Sequence, residues 1–407
     1  MVSLIRKKIL MKKCLLISVF FFVAMSVFAQ EEVEKSYVFT MKKQIEATPV
    51  KDQHRSGTCW DYATVALLEA ELLRNTGSVY DLSEGFYVYH TYYDKAVKYA
   101  RYHGNSTFSP GGMHFDVLEC LKKYGAIPET VYTGTVPAGE LFNHGELFRV
   151  MKGYLDGLLK NGSSTLSTNW KNGFAGILNA YIGTIPETFD YEGTKYTPES
   201  FGANLKINPD DYIVISSYTH HPFYDSFIVD IPDNWLNGYA YNLPLDEMME
   251  VINYALDNDY TFCWDADVSD KGFSWKNGVA IVPDRPLEYL SGTDYERWNT
   301  LSDEEKTAQM YVFDGSIAEK NVTQEMRQEL FDNQDVTDDH LMLVTGYATD
   351  ANDNVFYMVK NSWEDDSGKF ENGYMYASEQ FMKKNTISLM LNKNALPKNI
   401  AKKLGLK

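Results

Sequence analysis

Apolar residues Ala63, Ala66, Leu67, Ala70 and Leu73 recur at spacings of three and four, and Asn75-Thr76-Gly77 closes the pattern. This predicts a buried helix over residues 59–75 with Cys59 in its first turn. A second helix is expected from the N-cap candidate Ser83 through Phe86, Val88 and Tyr89 toward Tyr102. After the loop Ser109-Pro110-Gly111-Gly112, a third should run from Met113 to Tyr124 and stop at Gly125. Near the other end the period changes from helical to alternating. Leu341 to Ala348 and Val355 to Lys360 are rich in β-branched and aromatic residues, and residues 350–354 between them are turn-formers. An antiparallel hairpin follows, in which His340 opens the first strand and Asn361 closes the second, so both side chains stand at one end of the sheet. Between about 133 and 334 the pattern gives strands at Tyr212 to Ser216 and Ser226 to Asp230, and a helix at Leu245 to Leu256, but no motif.

The amino-terminal segment differs from the rest. Arg6, Lys7, Lys8, Lys12 and Lys13 precede an apolar run from Leu15 to Phe28, and Val27-Phe28-Ala29 offers small residues for cleavage. Residues 1–29 are therefore expected to be a signal peptide, too short in its apolar part to span a bilayer, and residues 30–407 an exported globular domain, periplasmic or extracellular. The chain carries a net charge of −18, and losing residues 1–29 removes five positive charges and no acids. That balance disfavours nucleic acid as a partner and is expected to keep an exported protein soluble; an acidic cleft that attracts free amino termini is the sharper alternative. Of the four cysteines, Cys59, Cys120 and Cys263 remain after processing, an odd number that leaves at least one unpaired. Cys120 and Cys263 fall on apolar patterns and read as buried structural thiols.

Cys59 invites a chemical reading. A thiol attacks a carbonyl as thiolate, and its pKa falls at a helix N-terminus beside a histidine that can take the proton. His340 would supply that partner, Asn361 would orient its ring, and Gln53 would aim an amide N–H at the developing oxyanion beside the backbone N–H of Cys59. His220-His221 have no further histidine or cysteine at helical or knuckle spacing, so they read as loop histidines, with no metal and no cofactor expected.

These residues carry a resemblance. The run Gln53-His54-Arg55-Ser56-Gly57-Thr58-Cys59-Trp60 resembles the active-site segment of papain-like cysteine peptidases, and Asp339-His340-Leu341 through Gly346-Tyr347 resembles the family's histidine strand. Lys360-Asn361-Ser362-Trp363 followed by Glu371-Asn372-Gly373-Tyr374 resembles its Asn-Ser-Trp block; Leu82-Ser83-Glu84 and Pro110-Gly111-Gly112 resemble two intervening segments, in the family's order. The resemblance implies an α+β papain-like fold, with a helical half carrying Cys59 facing a β-rich half carrying His340 and Asn361. It also implies that Trp363 shields the His340–Asn361 bond and that Gly111 and Gly112 pair with substrate backbone.

His340 and Asn361 lie 281 and 302 residues after Cys59, against about 130–150 in simple papain-type chains. The long insertion at 133–334 is similar to the bleomycin hydrolase and aminopeptidase C branch, whose members are typically intracellular aminopeptidases, six-subunit barrels with a C-terminal tail lying in the cleft. Peptide substrates and a homo-hexamer are thus implied. The export signal, Glu364 after Asn-Ser-Trp, and the short stretch after Leu396-Pro397 depart from that pattern. An endopeptidase with the same residues, and a non-catalytic binding protein on the same fold, are the competing expectations.

Overall fold

The computed structural model describes residues 37–160, 165–284, 293–363 and 373–406. The export segment, Glu364, Glu371 and Asn372 lie outside the described residues. Helix α1 (Cys59–Thr76) is buried on nearly every side and ends where Gly77, at φ 68°, returns its N–H to Leu73 O. That left-handed C-cap costs glycine nothing, and it fixes the end that the sequence suggests. Helix α2 (Glu84–Arg101) starts at Ser83, whose Oγ accepts the Phe86 N–H at 3.1 Å. Helix α3 (His114–Tyr124) begins one residue after Met113, because the Asp116 carboxylate accepts the Met113 N–H at 3.3 Å and so caps the turn there.

The region 133–334 runs through both halves. Its helices α4 (Gly145–Leu159) and α5 (Asn169–Ile182) place Leu147, Met151, Leu155, Phe174 and Leu178 in the same apolar cluster as Leu67, Phe86 and Tyr92. Its later part, with helix α6 (Leu245–Asp257), joins the sheet half.

Among the described residues, eleven strands form one sheet. At its centre Phe262–Ala266 pairs antiparallel with His340–Thr349 on one side and Thr386–Asn392 on the other. The expected hairpin is present: His340–Thr349 pairs with Val355–Lys360, and Asp350 Oδ1 accepts the N–H groups of Asn352 and Asn354 at 2.8 Å each, which closes the turn. Tyr212–Ser216 forms a strand as expected, whereas the strand begun at Ser226 ends at Ile228.

Side chains of the histidine strand alternate between two cores. Leu341 and Leu343 join the cluster of α1, while Met342 and Val344 join that of α6. The segment after Pro397 lies on the α6 side: Ile400 and Leu404 are buried in that second cluster, and Lys403 pairs with Glu247 at 2.7 Å. Through Leu406 the tail therefore sits on the sheet face opposite Cys59, and it does not enter the cleft as it does in the branch that the sequence resembles.

Candidate active site

Cys59 opens α1 after an N-cap residue, Thr58, that makes no side-chain capping bond. The Thr58 hydroxyl is engaged instead by Ser56 Oγ at 2.6 Å. The N-terminal N–H groups of the helix are thus left without a side-chain acceptor, at the point where the helix favours negative charge. Trp60 is fully buried and donates from Nε1 to Pro110 O at 3.1 Å, which ties the first turn of α1 to the glycine loop. The Cys59 sulfur lies against the backbone N–H of Leu341, the residue after His340.

His340 and Asn361 meet as the hairpin requires. His340 Nε2 and Asn361 Oδ1 are 2.7 Å apart, and both residues are buried. The same Oδ1 accepts the Ser362 N–H at 2.7 Å, which assigns it as the oxygen end of the amide. His340 must then carry its hydrogen on Nε2, leaving Nδ1 as the proton acceptor. Trp363 stacks on the imidazole, with ring centroids 4.5 Å apart and planes inclined by 21°. Gln53 is held from both sides of its peptide: its N–H donates to Ser362 O at 3.0 Å, and its Oε1 accepts from Ser362 Oγ at 2.6 Å. The Gln53 Nε2 hydrogens are left as donors for another oxygen. One segment, residues 361–363, thereby sets Gln53, His340 and their shield together.

The protonation balance differs from the sequence-based expectation. Burial pushes the Cys59 thiol up to about 12; the Leu341 N–H works against this, and the charges of Asp338, Asp265 and Asp233 add to it. Burial likewise takes His340 down to about 4, opposed by its bond to Asn361. At rest the thiol and the imidazole are both neutral, because dehydration disfavours either charge, and at the thiol three nearby carboxyls add to that effect.

Similar burial shifts make stability depend on pH. Burial pushes Asp116 and Glu319 up to about 7 and Glu129 to about 8, from about 4 in an unfolded chain. The native state then keeps protons that the unfolded chain has released, and stability is lost as pH rises through that window. Burial takes His90 and His114 down to about 3, and His144 and His340 to about 4. These act with the opposite sign, but only below about 6.5. From pH 6.5 to 8 the three carboxyls outweigh Lys360, which burial takes down to about 8 and which acts with the opposite sign only toward the top of that interval, so the thermal midpoint is expected to fall. Circular dichroism melts in matched ionic strength check this, and a rise would contradict it.

Gly111 is half-buried beneath the carboxylate of Asp233, and a Cβ there would fall inside it; Gly112 is buried against Trp60 and Asp116. The buried Lys95 ammonium donates to Gly111 O and to Ser109 O. Asp233, Asp265 and Asp338 escaped the sequence reading; the only signal available was the position of Asp338 two residues before His340. Cys120 and Cys263 are buried and unpaired. His220, His221 and Asp230 bring three potential ligand atoms within 4.8 Å of one another at the surface, a proximity that the spacing did not reveal.

The chain matches the family model for the papain family of cysteine proteases over residues 36–93, and that for the Peptidase C1-like family over residues 291–406. It is 23% identical over 412 residues to aminopeptidase C of Streptococcus thermophilus, covering 90% of this chain and 85% of that protein. It is 22% identical to the mitochondrial cysteine proteinase 1 of Saccharomyces cerevisiae, covering 90% and 79%. The crystal structure of PepW from Lactobacillus rhamnosis HN001 superposes with a TM-score of 0.64 at 18% identity, over 90% of this chain and 84% of that one. The two matched segments contain Gln53 and Cys59 on one side and His340 and Asn361 on the other, on a shared α+β fold: the chain is similar to the papain-like cysteine peptidases in both halves of its site.

Proposed function

We propose that the protein is an exported aminopeptidase that cleaves peptides from the amino end through a thioacyl intermediate on Cys59. The His340–Asn361 bond carries this reading, because it fixes the imidazole tautomer that can act as a base. As substrate closes over the site, the Cys59 proton passes to His340 Nδ1 while Sγ attacks the carbonyl carbon. The oxyanion is received by the Cys59 N–H and the Gln53 amide. His340 then returns the proton to the leaving amine, and water, deprotonated by the same nitrogen, releases the acyl group. A neutral imidazole and a neutral thiol suit this concerted start, since no isolated thiolate has to survive in a dry site.

Action at the amino end draws support from likeness to aminopeptidase C, and export from the segment Arg6 to Ala29. The test compares an alanyl fluorogenic amide with its N-acetyl form. Hydrolysis of the free-amine substrate at least about 10²-fold faster, in kcat/KM, is expected, a difference of about 2.7 kcal/mol in transition-state binding. Equal rates would favour an endopeptidase, and no hydrolysis of either would favour a binding protein. Amino-terminal sequencing of the secreted fraction, expected to begin at Gln30, tests export.

A further inference from the structure

The Cys59 side of the cleft gathers acids from three distant segments. Asp265 sits across from Leu341 on one neighbouring strand and from Ser388 on the other. Its Oδ2 accepts from Ser388 Oγ at 3.1 Å, and Ser388 Oγ is 3.2 Å from His114 Nε2. Its Oδ1 is fully buried and meets no N–H or hydroxyl donor, so the only proton within reach is one shared with the carboxyl of Asp338. Its carboxyl abuts that of Asp338, which is half-buried. Asp233 adds a third carboxylate over Gly111, held by Ser109 Oγ at 3.0 Å. Its loop is anchored by Trp235, whose Nε1 donates to Asp116 Oδ2 at 2.8 Å.

A buried carboxylate oxygen without a donor is costly, and two abutting carboxyls cannot both ionise cheaply. Lys95, the cation these carboxyls face, spends two of its three hydrogens on Gly111 O and Ser109 O, which leaves one donor for three carboxyls. The cluster thus retains unmet acceptor capacity, with Asp233 and Asp338 half-exposed at its mouth and Asp265 at its floor. An alkylammonium group fits this demand: it has three donors in a compact head and needs no cage of six or more oxygens, as a hard metal cation would.

We propose that Asp233, Asp265 and Asp338 form a pocket beside Cys59 that binds the protonated amine of the substrate, above all its free amino terminus. This deepens, and rests on, the aminopeptidase reading. The Asp233 loop covers the Gly111 edge along which a longer amino-terminal extension would run, so the same element supplies a charge and closes the cleft.

The test has a kinetic and a binding arm. In Asp233→Asn and Asp338→Asn, the ratio of kcat/KM for the free-amine alanyl amide to that for its N-acetyl form should fall at least 10-fold. Unchanged preference in both variants would overturn the pocket even though hydrolysis, and hence the aminopeptidase reading, stands. Asp233→Asn is at a half-exposed loop, so it keeps the test available should a buried change perturb folding. In the binding arm, full-length Cys59→Ala is titrated by calorimetry with Ala-Ala-Ala-amide, its N-acetyl form, and N-acetyl-Lys-Ala-amide. Binding of the free-amine peptide at least 10-fold tighter than the acetyl peptide supports the pocket even if no hydrolysis is found; equal binding overturns it. Recovery of affinity by the lysyl peptide assigns the pocket to a side-chain ammonium, the same chemistry from another source.

Discussion

Cys59→Ala is expected to fold like the parent protein and to lose peptide hydrolysis by at least about 10⁴-fold in kcat, as removal of a nucleophile does when the rest of its constellation is intact. The side chain is small, 8% exposed, and makes no bond that the fold depends on beyond its contact with the Leu341 N–H. Replacing sulfur by hydrogen at this position removes a few contacts and leaves Trp60 to anchor the helix start. The near-ultraviolet circular dichroism and thermal midpoint should stay close to those of the parent. Hydrolysis retained within 10-fold would remove Cys59 from the mechanism altogether.

Asn361→Ala should cost about 10²–10³-fold in kcat with KM little changed, because the residue positions the base without touching substrate. Its Oδ1 serves both His340 Nε2 and the Ser362 N–H, so the substitution frees the ring and loosens the segment that holds Gln53. Without that acceptor, His340 can carry its hydrogen on either nitrogen, and only part of the population presents Nδ1 as a base. Asn361→Asp gives the second readout: a carboxylate at this position would favour the imidazolium and should raise the acid limb of the kcat profile toward neutral pH. A pH profile unaltered by Asn361→Asp would contradict the positioning role.

The residues that meet at the site were legible where local chemistry specifies them. Asp350 and its neighbours announce a turn, alternating residues flank it, and the hairpin then brings His340 to Asn361 with no further information. The helix of Cys59 was legible from its apolar spacing and from Gly77. What escaped is non-local. The pocket acids come from residues 233, 265 and 338: strand pairing sets Asp265 opposite Leu341, close to Asp338, and a separate loop packed over Gly111 brings in Asp233. The strands Phe273–Ser274 and Val279–Ala280 are two residues each, too short for any period to be read. The acidity of Cys59 was misjudged for a related reason: a helix terminus can be read from sequence, whereas dehydration depends on what the completed fold packs around it.

The histidine strand is not evenly paired. Its register with Val355–Lys360 shifts between Val344 and Gly346, and a Cβ on Gly346 would fall within the main chain of Lys43 in the edge strand Thr40–Gln44. Every side chain is therefore excluded there unless the edge strand retreats. The offset that lets His340 end level with Asn361 is thus coupled to an amino-terminal strip lying far from the reacting sulfur. Drift in that outer ribbon would be felt along the strand that carries the imidazole, so the ribbon helps to hold the register of that strand.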